Sequence, residues 1–133
     1  MTRTNLQTYR VSGKPLRVLV CGGRDYPADA VWHYLEHYAP AELGANIAVL
    51  IHGGATGADQ AAAEWGARAA SDGVKTIEFK ANWRKYGKSA GPFRNQRMLA
   101  EGKPDAVIAF AGGRGTADMV ARAEACGVRV IRA

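Results

Sequence analysis

Three times in this chain a short apolar run ends in a pair of glycines, and an oxygen- or charge-bearing side chain follows within three positions. Gly22-Gly23-Arg24-Asp25 follows residues 16–21, and Gly53-Gly54-Ala55-Thr56-Gly57-Ala58-Asp59 follows residues 48–52. Gly112-Gly113-Arg114-Gly115-Thr116-Ala117-Asp118 follows residues 107–111. A buried strand that turns sharply into a helix leaves backbone N–H groups unpaired at the positive end of the helix dipole. That arrangement holds a phosphate or a carboxylate. Gly53, Gly54 and Gly57 let the backbone wrap a ligand closely, and Thr56 can cap its helix or bind an oxygen. Gly112, Gly113, Gly115 and Thr116 repeat that chemistry. Asp59 and Asp118 are expected in the first helical turn. There a carboxylate either complements the dipole, for about 0.3–1 kcal/mol, or touches a ligand. Asp25 lies within its glycine loop and is the carboxylate most open to a ligand.

The segment Gly91-Pro92-Phe93-Arg94-Asn95-Gln96-Arg97-Met98 supplies the cation. If Pro92 opens a helix, Arg94 falls in its first turn, where a positive charge gains nothing from the dipole. An arginine there can clamp a phosphate bidentately beside the glycine loops. Asn95 can orient a ribose or a base, or hydrogen-bond locally; Arg97 reads as a surface residue.

The elements that must position these residues follow from apolar periodicity. Strands are expected over residues 16–21, 47–52, 75–80, 105–110 and 128–131. Helices are expected after Pro27, over 58–70 with Thr56 and Asp59 as a capping box, from Pro92 to about Gly102, and over 116–126. Val31, Tyr34, Leu35 and Tyr38 form the inner stripe of the first helix, and Pro40 limits it. Residues 81–91 read as an irregular polar stretch. Strict alternation of strand and helix predicts a Rossmann-like α/β three-layer sandwich, a five-stranded parallel sheet with helices on both faces. Its ligand belongs beyond the C-terminal strand ends, where all three glycine loops lie.

The 133 residues suit one domain over residues 16–133, preceded by a polar arm over residues 1–15. With 47% hydrophobic and 23% charged residues the chain is globular in composition. No apolar run reaches membrane-spanning length and no signal-peptide core opens the sequence, so a cytoplasmic location is expected, with Cys21 and Cys126 as reduced thiols. The net charge of +6 suits phosphorylated small molecules or nucleic acid. Its densest stretch spans residues 84–97, a distribution closer to a local anion site than to a long nucleic-acid track.

Three shorter patterns fail on detail. Gly87-Lys88-Ser89 imitates the end of a P-loop, but Asn82 stands where the earlier glycine belongs. His33-Tyr34-Leu35-Glu36-His37 matches an inverted zinc-protease pattern, yet it lies opposite the apolar stripe and lacks a third ligand. The first glycine loop is not G-x-G-x-x-G, and the second strand ends in His52 rather than in a ribose-binding acid. No metal and no cofactor are expected.

At its four motifs the chain resembles a bacterial and phage family of the SLOG superfamily, similar to YspA/YpsA-type proteins. The motifs are Gly22-Gly23-Arg24-Asp25-Tyr26, His52 to Asp59, Ala90 to Met98, and Gly112 to Met119. Relatives in the superfamily include the Lonely Guy phosphoribohydrolases, the DNA-processing protein DprA and molybdenum-cofactor carrier proteins. The resemblance spans residues 16–133 and implies a Rossmann-like sheet, a pocket for nucleotides or ADP-ribose-like ligands, and a homo-oligomer. Lonely Guy enzymes carry R-K-x-x-M and P-G-G-x-G-T-x-x-E motifs. Arg94 matches the catalytic arginine, whereas Met119 stands at the position of the catalytic glutamate. The expectation is therefore a nucleotide-binding module. N-glycosidic hydrolysis using Arg94 with Asp25 or Asp118 is one alternative. Single-stranded nucleic-acid binding through Trp83-Arg84-Lys85-Tyr86-Gly87-Lys88 is the other, although those aromatics also read as packing on the sheet edge.

Overall fold

The computed structural model describes residues 14–133, so most of the expected arm, residues 1–13, lies outside the described residues. Strands β1 (Leu16–Cys21), β2 (Ile47–His52), β3 (Lys75–Glu78), β4 (Ala106–Ala109) and β5 (Arg129–Arg132) form one parallel sheet in the order β3-β2-β1-β4-β5. The helices are α1 (Ala28–His37), α2 (Ala39–Leu43), α3 (Ala58–Ala69), α4 (Trp83–Tyr86), α5 (Ala90–Gly102) and α6 (Arg114–Ala125). Register pairs Val18 with Leu50 and Ala106, and His52 with Glu78.

The two faces follow from the two-residue period of β1. Val18 and Val20 point into a core with Leu50, Ile108, Val31, Leu35, Ala61 and Trp65, which belongs to α1 and α3. Leu19 and Cys21 point into the opposite core with Ile51, Val107, Met98, Leu99, Met119 and Ala123, which belongs to α5 and α6. Both faces are covered, which is why the strands read as almost continuous apolar runs. From β1 the chain winds outward to β2 and β3, then α5 carries it back past β1 to β4 and β5. Right-handed crossovers in the two directions place α1 and α3 on one face and α5 and α6 on the other. The winding reverses between β1 and β4, which sets the crevice at their C-terminal ends.

Several boundaries differ from the sequence expectation. Residues 81–91 are largely helical, because Asn82 Oδ1 accepts the Lys85 N–H at 3.0 Å and caps α4; a 3₁₀ turn, Gly87–Ser89, then leads into α5. Because α5 already starts at Ala90, Pro92 sits inside its first turn and Arg94 lies in the second turn, not the first. In the same way α6 starts at Arg114, so Asp118 is in its second turn and not at the dipole end. Pro40 ends α1 by standing in the first turn of the next short helix. Tyr38, expected in the inner stripe, is exposed.

Candidate functional site

The three glycine loops are stitched together at Gly23. Its N–H donates to Ala111 O at 2.9 Å, and its carbonyl accepts from Ala58 N at 3.1 Å and Tyr26 N at 3.2 Å. One residue thus joins the loop after β1 to the loop after β4 and to the start of α3. The contact is closer than side chains allow. A Cβ on Gly22 would run into the Cβ atoms of Ala58 and Phe110, and one on Gly112 into Thr116 Oγ1 and the Gly22–Gly23 backbone.

The second loop is organised by Asp59. Gly57 caps α3 without any side-chain bond, so the expected Thr56–Asp59 capping box does not form. Asp59 Oδ2 instead accepts the Gly53 N–H at 3.1 Å and the Ala55 N–H at 3.3 Å, and Thr56 stays exposed. Burial pushes the Asp59 carboxyl up, against the pull of the Ala55 N–H and the Arg94 charge. The same burial pushes the Cys21 thiol up to about 12, so that thiol lies inert beneath the site.

His52 closes the turn. Its Nδ1 accepts the Gly54 N–H at 3.0 Å, a bond that requires Nδ1 to be unprotonated. Burial holds its pKa below the ordinary value near 6.5, and Glu78 only partly opposes this. A histidine harder to protonate when folded leaves stability intact above about pH 6.5 and removes it as pH falls below that value, because the unfolded chain takes up the proton first. Stability measured by chemical unfolding is therefore expected to drop between pH 7.5 and pH 5, and to drop less in His52→Asn, whose amide oxygen can still accept from Gly54. An equal drop in both proteins would remove His52 from this role.

Arg94 reaches across from α5. Nη1 donates to Gly53 O at 2.5 Å and Nε to Asn95 Oδ1 at 3.0 Å, with the guanidinium filling the space a side chain on Gly53 would need. Two of its five N–H groups are thereby used. The other three have no partner among the described residues. Burial works against its charge, Asp59 works in favour, and among the described residues no carboxylate pairs with it directly. Asn95 is buried, and both its amide protons are committed, to Asp118 Oδ2 at 2.9 Å and Gly115 O at 3.2 Å. Asp118 also accepts from Arg122 Nε at 2.8 Å, and Arg122 Nη1 donates to Gln96 at 3.1 Å. Asn95 and Asp118 therefore tie α5 to α6 and aim Arg94.

The first-turn N–H groups of α6, on Arg114, Gly115 and Thr116, have no backbone partner among the described residues. Arg24 and Asp25 are exposed on the neighbouring loop, and Asp25 has no hydrogen-bond partner among the described residues. Met119 is fully buried in the core under α6 and faces away from the loops. His33 and His37 are exposed with ring centroids 4.8 Å apart, while Glu36 between them accepts from Trp65 Nε1 at 2.8 Å. His52 opens the second motif, but nothing in the sequence gives it a role in the turn. Glu78 belongs to no motif, because only the strand order places the end of β3 beside the second glycine loop.

The profile of the YspA, cpYpsA-related SLOG family matches residues 16–86, more than half of the chain and both of the first two glycine loops. The chain belongs to this family. It is also 37% identical to the Gene 61 protein of Mycobacterium phage D29 over 123 residues, 86% of this chain and 94% of that protein. The five-stranded parallel α/β sheet agrees with the Rossmann-like arrangement of the SLOG family. Among the described residues no helix is long and apolar enough to cross a membrane.

Proposed function

We propose that this protein is a binding module for a nucleotide or nucleotide-derived ligand of the ADP-ribose type, held at the C-terminal ends of β1, β2 and β4. The observation that carries the reading is Arg94, a half-buried cation with three N–H groups uncommitted among the described residues and linked through Asn95 to Gly115 in the first turn of α6. A desolvated guanidinium without a carboxylate partner favours an incoming anion, and its fork matches a phosphate. Family membership supports a nucleotide-related role. The test is thermal unfolding against a panel of nucleotides and dinucleotide fragments. A ligand at a hundredfold excess over its Kd should raise Tm on the order of 10 °C. No shift from any member at millimolar concentration would overturn the reading.

Turnover is a separate matter. Hydrolysis of an N-glycosidic bond needs a carboxylate at the ribose, yet Met119 is in the core and Asp118 is bound to Asn95 and Arg122. Incubation with nucleoside monophosphates is expected to release little or no free base by chromatography. Robust release abolished by Asp118→Asn or Asp25→Asn would make the protein an enzyme.

A second reading has one specific observation behind it. Trp83, Tyr86 and Phe93 are 51%, 41% and 51% exposed, the Tyr86 ring lies against Phe93 of α5, and Lys85 Nζ is 5.0 Å from the Tyr86 ring. Stacking rings among cations suit single-stranded nucleic acid, and such binding would weaken steeply with salt. Gel shifts at low salt showing no complex would eliminate it. We also read the protein as a cytoplasmic homo-oligomer; a strict monomer in light scattering would refute the assembly.

A further inference from the structure

Glu78, the last residue of β3, lies against the second glycine loop. Its carboxylate fills the space that a side chain on Gly54 would need, just as the Arg94 guanidinium does at Gly53. The two glycines therefore separate an uncommitted cation from a carboxylate. The Glu78 carboxylate is exposed and has no hydrogen-bond or ion-pair partner among the described residues. The loop amides beside it are already spent, the Gly54 N–H on His52 and the Gly53 and Ala55 N–H groups on Asp59. An anion held against buried His52 and Asp59, with every nearby amide already occupied, is an acceptor facing outward.

We propose that Glu78 is the specificity residue that accepts the vicinal hydroxyls of the ligand's ribose, with Arg94 holding the phosphate of the same phosphoribosyl unit. This rests on the nucleotide-binding reading above. Arg94 lies against Gly53 and Glu78 against the adjacent Gly54, which puts a phosphate donor and a hydroxyl acceptor on neighbouring residues of one loop. A carboxylate accepts both hydroxyls of a diol at once, the role an acidic residue plays at the end of the second strand in dinucleotide folds. Here that strand ends in His52, and the acid comes from the next strand, whose Glu78 pairs in register with His52.

The test is calorimetric titration of the full chain and of Glu78→Ala with ribose 5-phosphate and 2-deoxyribose 5-phosphate. The wild type should bind the ribo form about tenfold or more tightly, the value of a charge-assisted bond to one hydroxyl. In Glu78→Ala the ratio should fall close to one, because the ribo form loses two hydroxyl bonds and the deoxy form only the one to its 3-hydroxyl. Glu78→Gln, which keeps one acceptor oxygen, should fall between. A wild-type ratio near one, or a ratio that survives Glu78→Ala, overturns the assignment of Glu78 while binding of the deoxy form leaves the phosphate site standing. Binding of neither sugar phosphate to the wild type overturns the phosphoribosyl reading itself. Glu78 is exposed and unpartnered, so both variants should keep the wild-type Tm within a few degrees.

Discussion

Arg94→Ala is expected to weaken binding of a phosphorylated nucleotide about a hundredfold while leaving the fold in place. The side chain makes two hydrogen bonds within the protein, to Gly53 O and Asn95 Oδ1, and holds three N–H groups ready for a ligand. A charge-assisted bond contributes about 1.5–3 kcal/mol, and a bidentate one to phosphate lies toward the top of that range. At about 1.4 kcal/mol per decade the loss comes to roughly two orders of magnitude. Arg94→Lys keeps the charge but not the fork and should recover only part of it. Asn95→Ala removes the group that aims the guanidinium and ties α5 to α6, so it should weaken binding and lower Tm together. Titration calorimetry on variants with near wild-type melting is the measurement. An Arg94→Ala affinity within threefold of the wild type would show that the phosphate sits elsewhere.

The sheet was legible because its signal is local. Apolar runs ending in Gly-Gly fix the three central strands, and the alternation of strands with helices dictates parallel pairing. The loops around Gly22, Gly53 and Gly112 were legible as a group for the same reason. What one strand or loop does for another was not. Asp59 read as a dipole or ligand carboxylate, but the turn it follows folds back so that two N–H groups, Gly53 and Ala55, converge on it. Asp118 read as a candidate acid, but a helix starting two residues earlier turns it toward Asn95 and Arg122. Glu78 carried no motif at all. Its place beside Gly54 depends on β3 lying next to β2, a fact of topology and not of spacing. Residues 81–91 were missed because a single side-chain cap, Asn82, decides between loop and helix in so short a segment.

Gly57→Ala should be the most destabilising single-methyl change in the site. Gly57 has φ +75° and ψ −123°, a conformation that L side chains rarely adopt and that costs on the order of 1–3 kcal/mol. Its added methyl would also run into backbone, the Gly23 carbonyl oxygen and the Arg24 carbonyl group, neither of which can swing aside as a side chain would. Overpacking of this kind costs about 1–3 kcal/mol more. Gly44 supplies the control: its φ is +70°, but a Cβ there meets nothing within 4 Å. Gly44→Ala should therefore lose only the backbone term, about 1 kcal/mol. The difference between the two variants combines the more restricted backbone at Gly57 with the close approach of the first and second glycine loops. Against a total stability of about 5–15 kcal/mol it is large, and in thermal unfolding Gly57→Ala should melt on the order of 10 °C below Gly44→Ala. The displaced loop would also break the Ala58 N–H bond to Gly23, so nucleotide binding should be lost in Gly57→Ala even at temperatures where it remains folded, and retained in Gly44→Ala. Equal melting temperatures for the two variants would mean that the loops are not in contact at Gly57, and the site built on that contact would fall with it.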